Sequence, residues 1–118
     1  MEYLHAGRIL KVDLTGRLIT TEPIDPCIER FLGDKGINAK ILFDSVRPGV
    51  GPLDPDNPLL FGVGPLVGTP FPGACRTDMM SWFPVPGAPG NSDIGGYLGA
   101  ELKFAGYNCA REMQRLRP

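Results

Sequence analysis

The residues whose types and spacing can do chemistry lie in the second half of the chain. Asn91 to Tyr107 begins with a polar turn, Asn91-Ser92-Asp93, followed by a glycine pair, Gly95 and Gly96, and then by what reads as a short amphipathic helix. Asp93 is expected as the N-cap of that helix, accepting the N–H groups that a helix start leaves unpaired, while the glycines let another group approach the backbone. A start of this kind favours an anion, although a glycine pair before a helix also serves as a plain packing or turn device. Upstream, Arg76 follows the small residues Gly73, Ala74 and Cys75. Its guanidinium offers five fixed donors suited to a phosphate, and the competing role is an ion pair with Asp78 or an ordinary surface position. Between Gly64 and Gly73 the chain carries small and turn-forming residues. Such a backbone suits close passage by a buried cofactor or a neighbouring domain.

Other candidates carry less. Cys27, Cys75 and Cys109 are an odd count at wide spacing, matching neither a disulfide framework nor a CxxC metal pair, and are expected as reduced thiols in a cytoplasmic protein. Cys27 has no base nearby in sequence, so packing is its expected role. The single histidine, His5, is expected as a surface residue of the N-terminal segment, and Glu101, near Lys103, as a solvated charge rather than a general acid. No residue is assigned a catalytic role. A Gly-rich phosphate loop with a Lys-Ser/Thr pair is absent, which disfavours a generic nucleotide-phosphate module.

The elements that must position these residues belong to one small domain, the most that 118 residues with a modest core support. Sixteen glycines and thirteen prolines approach the composition of disordered chains, but 42% hydrophobic and 21% charged residues argue for a folded, loop-rich protein. A formal net charge of -1 gives no footprint for nucleic acid or an anionic membrane; no stretch has the apolar length of a membrane span, and no secretion signal is visible.

From Arg8 to Leu14 the side chains alternate, with Leu10, Val12 and Leu14 on one face and Ile9, Lys11 and Asp13 on the other, and Thr15-Gly16 turns the chain into a returning strand at Arg17 to Glu22. Asp25-Pro26 marks a helix start with Ile28, Phe31 and Leu32 on one face, and a second helix is expected from about Ile37 to Val46, burying Ile37, Ile41 and Leu42. After a proline-rich loop, Leu59 to Val63 and Met79 to Phe83 read as strands, and Pro84 to Gly90 as a loop. Within the last helix Leu98, Leu102 and Ala105 share a face, and Gly106 stops it. Strands in an early hairpin and two later segments, with helices between them, give an α+β fold.

The runs Gly64 to Thr69, Gly73 to Thr77 and Asn91 to Tyr107, above all Gly99 to Tyr107, together with the early Gly7 to Leu14 strand, resemble the N-terminal domain of the tungstopterin-dependent aldehyde:ferredoxin oxidoreductase family. The resemblance extends from about Gly7 to Tyr107. It implies a β-rich domain of two repeats against which the cofactor lies, with about one repeat present here. It further implies that Arg76 lies beside a tungsten or molybdenum bis-pterin and helps link it to a 4Fe-4S cluster whose ligands lie outside this chain. The position of Asp93 is implied to offer a backbone carbonyl near a Mg2+ ion bridging the pterin phosphates, and Gly95, beside Gly96, to approach the pterin through its main chain. Where many relatives have asparagine, this chain has Asp93. Cys75 is expected as a small buried residue, since the family takes its cluster cysteines from later domains.

By the same resemblance the whole enzyme converts an aldehyde and water to a carboxylate and passes electrons to ferredoxin, and this part holds phosphates and orients the pterin. Residues 1–108 are expected as a partial family domain. The stretch 109–118, with Arg111, Arg115 and Arg117, reads as a basic tail without a strand signal. The expectation is a fragment or frame-shifted remnant, inactive alone, whose open strand edges need missing domains or a second copy of the chain. The alternative is a non-catalytic interaction or assembly module that keeps the fold without the cofactor.

Overall fold

A computed structural model of the chain describes residues 4–24, 30–84 and 87–113. Strands β1 (Arg8–Asp13) and β2 (Leu18–Pro23) are followed by helix α1 (Asp34–Ser45), strands β3 (Leu59–Val63), β4 (Thr77–Phe83) and β5 (Ala88–Ile94), helix α2 (Leu98–Phe104) and strand β6 (Cys109–Met113). The six strands form one mixed sheet in the order β2-β1-β6-β3-β4-β5, parallel between β1 and β6 and antiparallel elsewhere. This is the expected α+β class.

The early hairpin is present, and Asp13 Oδ1 closes its turn by accepting from the N–H groups of Thr15 and Gly16. Its burial is the reverse of what alternation implies: Ile9 is buried, Leu10 and Val12 are half-buried, and Leu14 is exposed. The core explains this, because Ile9 joins Ile24, Ile37, Ile41, Leu42, Leu60, Met80 and Cys109 beneath α1. The helix start expected at Asp25-Pro26, and Cys27 with it, lies outside the described residues.

Helix α1 buries Ile37, Ile41 and Leu42 as the spacing predicts, and also Asn38. It begins three residues before Ile37, where no apolar pattern marks it. Leu32, Gly33 and Asp34 all have positive φ, so the chain turns sharply into the helix. A Cβ on Gly36 would lie 2.2 Å from the carbonyl oxygen of Phe31, so only glycine fits that first turn.

Three expectations are corrected in the second half. The polar run before Gly95 is no helix-opening turn but strand β5, the edge partner of β4, with Asp78 opposite Asp93. Cross-strand pairing with β4 overrides the turn propensity of Pro89, Gly90, Asn91 and Asp93. Consequently Asp93 is not the N-cap of α2; that place belongs to Tyr97, with no side-chain cap bond. Third, Cys109–Met113 is a strand, and it sits in the middle of the sheet between β1 and β3.

The two helices cover opposite faces. Successive side chains of a strand point to opposite sides, and Asp78 faces Asn38 of α1 while Thr77 faces Gly99 of α2. Helix α2 buries Gly99, whereas Leu98 and Ala105 of the expected apolar face are exposed. The reason is distance: a Cβ on Gly99 would lie 2.5 Å from Thr77 Oγ1 and 3.1 Å from Val63 Cγ1, so the helix backbone itself rests on the sheet. Gly106, at φ 92°, ends the helix as expected. Strands β2 and β5 form the two edges of the sheet, and every residue of β2 is exposed.

Candidate functional site

A chain of close backbone approaches builds the site at the α2 end of the sheet. After β3 the segment Gly64–Thr69 folds as consecutive tight turns, Val67 N–H donating to Gly64 and Thr69 N–H to Leu66, with the Thr69 hydroxyl also donating to Leu66 at 2.6 Å. Gly68, at φ 78°, packs on α2, where a Cβ would meet the Phe104 ring at 3.1 Å. Lys103 locks the two together by donating from Nζ to the carbonyls of Gly64 and Pro65. That position makes Lys103 a half-buried anchor rather than the surface charge its sequence implies, and burial pushes its pKa down.

Between these turns and α2 lies a cleft of about 480 Å³ lined by Gly68, Thr69, Ala74, Cys75, Gly96 and Phe104, among others. An adjoining hollow of about 250 Å³ shares Ala74 and is lined by Asp34, Pro65, Phe71, Gly73 and Arg76. Arg76 is exposed and has no ion pair or hydrogen bond among the described residues. The alternative pairing with Asp78 is not made: that carboxylate is buried and accepts from Asn38 Nδ2 at 2.8 Å and Asn91 Nδ2 at 2.9 Å. Cys75, expected to be buried, is exposed at the cleft, because the 71–76 turn leaves it outside the core.

Gly95 and Gly96 stand open to solvent, with nothing within 4 Å of the position a Cβ would take at either. Gly96, at φ 100°, also requires glycine for its backbone. Asp93 lies just before them on β5, its carboxylate turned to α1, where Oδ2 accepts from Lys35 Nζ at 2.9 Å. The structure therefore brings Arg76 and Gly96 to adjoining hollows, with Gly95 beside them and Asp93 on the α1 flank.

The α1 side carries a compact network of acids. Asp34 Oδ1 accepts from the N–H of Asp78, and its pKa is raised by burial and then by the charges of Asp78 and Asp93. Lys35 is the cation these carboxylates share: its hydrogen bond to Asp93 and the charges of Asp93, Asp78 and Asp34 raise its pKa. Lys35 carried no local signal in the sequence, because its partner lies 58 residues away. Lys103 was likewise hidden, since a carbonyl-binding lysine looks like any helical one.

Among the described residues, no group of three or more His, Cys, Asp or Glu side chains is placed to hold a metal ion, and no helix is long and apolar enough to cross a membrane. A larger cavity, about 590 Å³, lies on the α1 face between Phe43, Val46, Trp82 and Pro89, and its lining, which includes Arg47, is mostly apolar.

Residues 9–110 match the family model described as aldehyde ferredoxin oxidoreductase, N-terminal domain. The chain is 37% identical over 108 residues to a tungsten-containing aldehyde ferredoxin oxidoreductase of Pyrococcus furiosus, covering 91% of this chain and 18% of that protein. It is 34% identical over 110 residues to an aliphatic sulfonate oxidoreductase, WOR-like subunit, of the same organism, of which it covers 17%. Among solved structures, the active site complex BamBC of benzoyl coenzyme A reductase, in complex with 1,5 dienoyl-CoA, superposes with a TM-score of 0.90 at 40% identity, over 96% of this chain and 18% of that one.

Proposed function

Because the chain belongs to the aldehyde ferredoxin oxidoreductase family, matching its N-terminal domain, we propose that it forms the cofactor-holding base of a tungstopterin oxidoreductase in the cytoplasm. The chain spans about a fifth of the length of the relatives it matches, so the activity of a whole enzyme enters as part of this proposal. When bound, the tungsten or molybdenum bis-pterin would supply oxidation of an aldehyde with water to a carboxylate, two electrons leaving through a 4Fe-4S cluster to ferredoxin.

The residues present fit such a group. The observation that carries the reading is the cleft lined by Gly68 and Gly96, adjoining a hollow lined by Arg76: nothing lies within 4 Å of the Cβ position at Gly95 or Gly96, and Arg76 has no competing partner among the described residues. Arg76 would bind phosphate with directional, charge-assisted donors, while Gly95 and Gly96 admit a flat ring system against the main chain. The backbone carbonyl of Asp93 would offer an oxygen to a Mg2+ ion, in keeping with that ion's preference for few protein groups. Phe104 and Tyr97 give the cleft apolar walls.

The test is cofactor content and phosphate affinity together. After anaerobic purification the protein should carry tungsten or molybdenum with pterin, or take up Mg2+-pyrophosphate as a phosphate probe, and Arg76→Ala should weaken that probe about tenfold. Absence of pterin, metal and probe binding overturns the reading in favour of a non-catalytic interaction module. One observation favours that second reading: Phe43 is 82% exposed beside the apolar cavity of α1.

A further inference from the structure

We propose that Lys35 is a positioning residue for the segment Asp93–Gly96, the end of β5 and the glycine pair after it: it holds the Asp93 carboxylate against α1 and cancels its charge, so that the segment meets an anionic ligand with backbone alone. This rests on the phosphate-binding reading given above and extends it to a residue on another element.

The geometry is specific. Lys35 Nζ lies 2.9 Å from Asp93 Oδ2; the Asp93 side chain is 24% exposed and that of Lys35 51%, so a half-buried carboxylate is met by a cation that stays in water. The base from which Lys35 reaches is rigid. Its neighbour Asp34 accepts from Asp78 N–H at 3.1 Å, and Asn38, one turn on, donates to the Asp78 carboxylate at 2.8 Å. Asp78 in turn pairs with Asp93 across the β4–β5 register. Lys35 thus faces Asp34, Asp78 and Asp93, three carboxylates gathered within one corner of the fold. Without it, an uncompensated Asp93 carboxylate would stand two residues before Gly95, and like charges repel a phosphate over such distances by enough to alter affinity several-fold.

Four variants, beside the wild type, decide the question by calorimetric titration of Mg2+-pyrophosphate into the chain at low salt. Lys35→Met, which keeps the alkyl stem, should weaken binding about three- to tenfold, an effect that shrinks as salt is added. Asp93→Asn should bind at least as tightly as wild type, because Lys35 then brings uncancelled positive charge, and the double variant should return to about wild-type affinity, because the Asp93 carboxylate that Lys35 offsets is gone. Lys35→Arg should retain wild-type affinity. Wild-type affinity in Lys35→Met overturns the inference alone, as does a double variant as weak as Lys35→Met, which would make Lys35 a direct ligand contact or a purely structural residue. A wild type that binds no probe, with Arg76→Ala indistinguishable from it, overturns the phosphate-binding reading and this inference with it.

Discussion

Asn38 and Asp78 meet in the interior at 2.8 Å, amide Nδ2 to carboxylate Oδ2, and both side chains are fully buried. The contact joins α1 to β4. Asn38 also accepts weakly from the Cys109 thiol, and a Cβ on Gly62 would lie 2.7 Å from its amide, so β3, β4 and β6 converge on one side chain. This polar joint sets the height of α1 above the sheet, and with it the reach of Lys35 toward β5.

Truncating Asp78 to alanine should therefore cost more than its volume. The amides of Asn38 and Asn91 both donate to this carboxylate; in its absence buried Asn38 keeps only its 3.2 Å bond to the Asp78 carbonyl, while exposed Asn91 turns to water. With one buried donor left short of a partner, at roughly 1–3 kcal/mol, the loss should be about 2 kcal/mol. Urea unfolding of wild type and variant would read it as a lower midpoint with unchanged slope. A loss below about 1 kcal/mol would mean that water replaces the carboxylate.

Gly99→Ala tests the contact that seats α2. The added methyl would fall 2.5 Å from Thr77 Oγ1 and 3.2 Å from Val67 Cγ1, so the helix must lift. Overpacking of this kind costs about 1–3 kcal/mol. Since Ala100 and Phe104 of the same helix wall the cleft, probe affinity should fall together with the melting temperature. A variant that melts lower but binds unchanged would detach the cleft from α2.

How much of this was legible in the sequence differs by element. The hairpin keeps its strands and turn but buries Ile9 rather than the face its alternation implies, whereas α1, β3 and β4 carry apolar spacing or apolar runs that tertiary contacts leave in force. β5 and β6 do not. The Ala88–Ile94 run is written in turn residues and becomes a strand because β4 offers an unpaired edge. In Cys109–Met113, Arg111 and Glu112 mask a central strand whose position depends on pairing with β1, a hundred residues upstream. Within the candidate site, Arg76, Gly95 and Gly96 are readable as types suited to phosphate and close approach. The network of Asp34, Lys35, Asp78 and Asp93 is not, because it exists only once α1 lies across β4 and β5.

The raised pKa of Asp34 gives a pH dependence of defined sign. A carboxyl whose folded pKa exceeds its unfolded value binds more protons folded than unfolded. Its contribution is fully present below the unfolded value, near 3.8, and is lost as pH rises through the higher folded value. Asp34→Asn should flatten the stability profile over that interval. Asparagine also tolerates the φ of 50° at this position and keeps an oxygen for the Asp78 N–H. Thermal melts of both proteins from pH 3 upward check it: parallel profiles would show that burial and the neighbouring charges do not act on Asp34.

The two described cysteines should separate sharply in reactivity. Cys75 is exposed at the cleft, whereas Cys109 is buried and burial pushes its thiol up to about 12. Only thiolate reacts with an alkylating reagent. At pH 8, native protein treated with iodoacetamide and mapped by mass spectrometry should be modified at Cys75 and spared at Cys109, with Cys109 reacting once urea is present. Mg2+-pyrophosphate at a concentration that half-fills the wild-type cleft should slow Cys75 in wild type and protect it far less in Arg76→Ala. The raised value of Cys109 also fixes a stability window: its contribution is intact below the ordinary thiol value of 9.0 and declines as pH rises through about 12. Cys109→Ala should remove that alkaline decline, while losing the thiol's packing beneath α1. Equal labelling of both cysteines in the native protein would mean that β6 leaves the sheet readily, and the central strand would then be the weakest element of the fold rather than its keel.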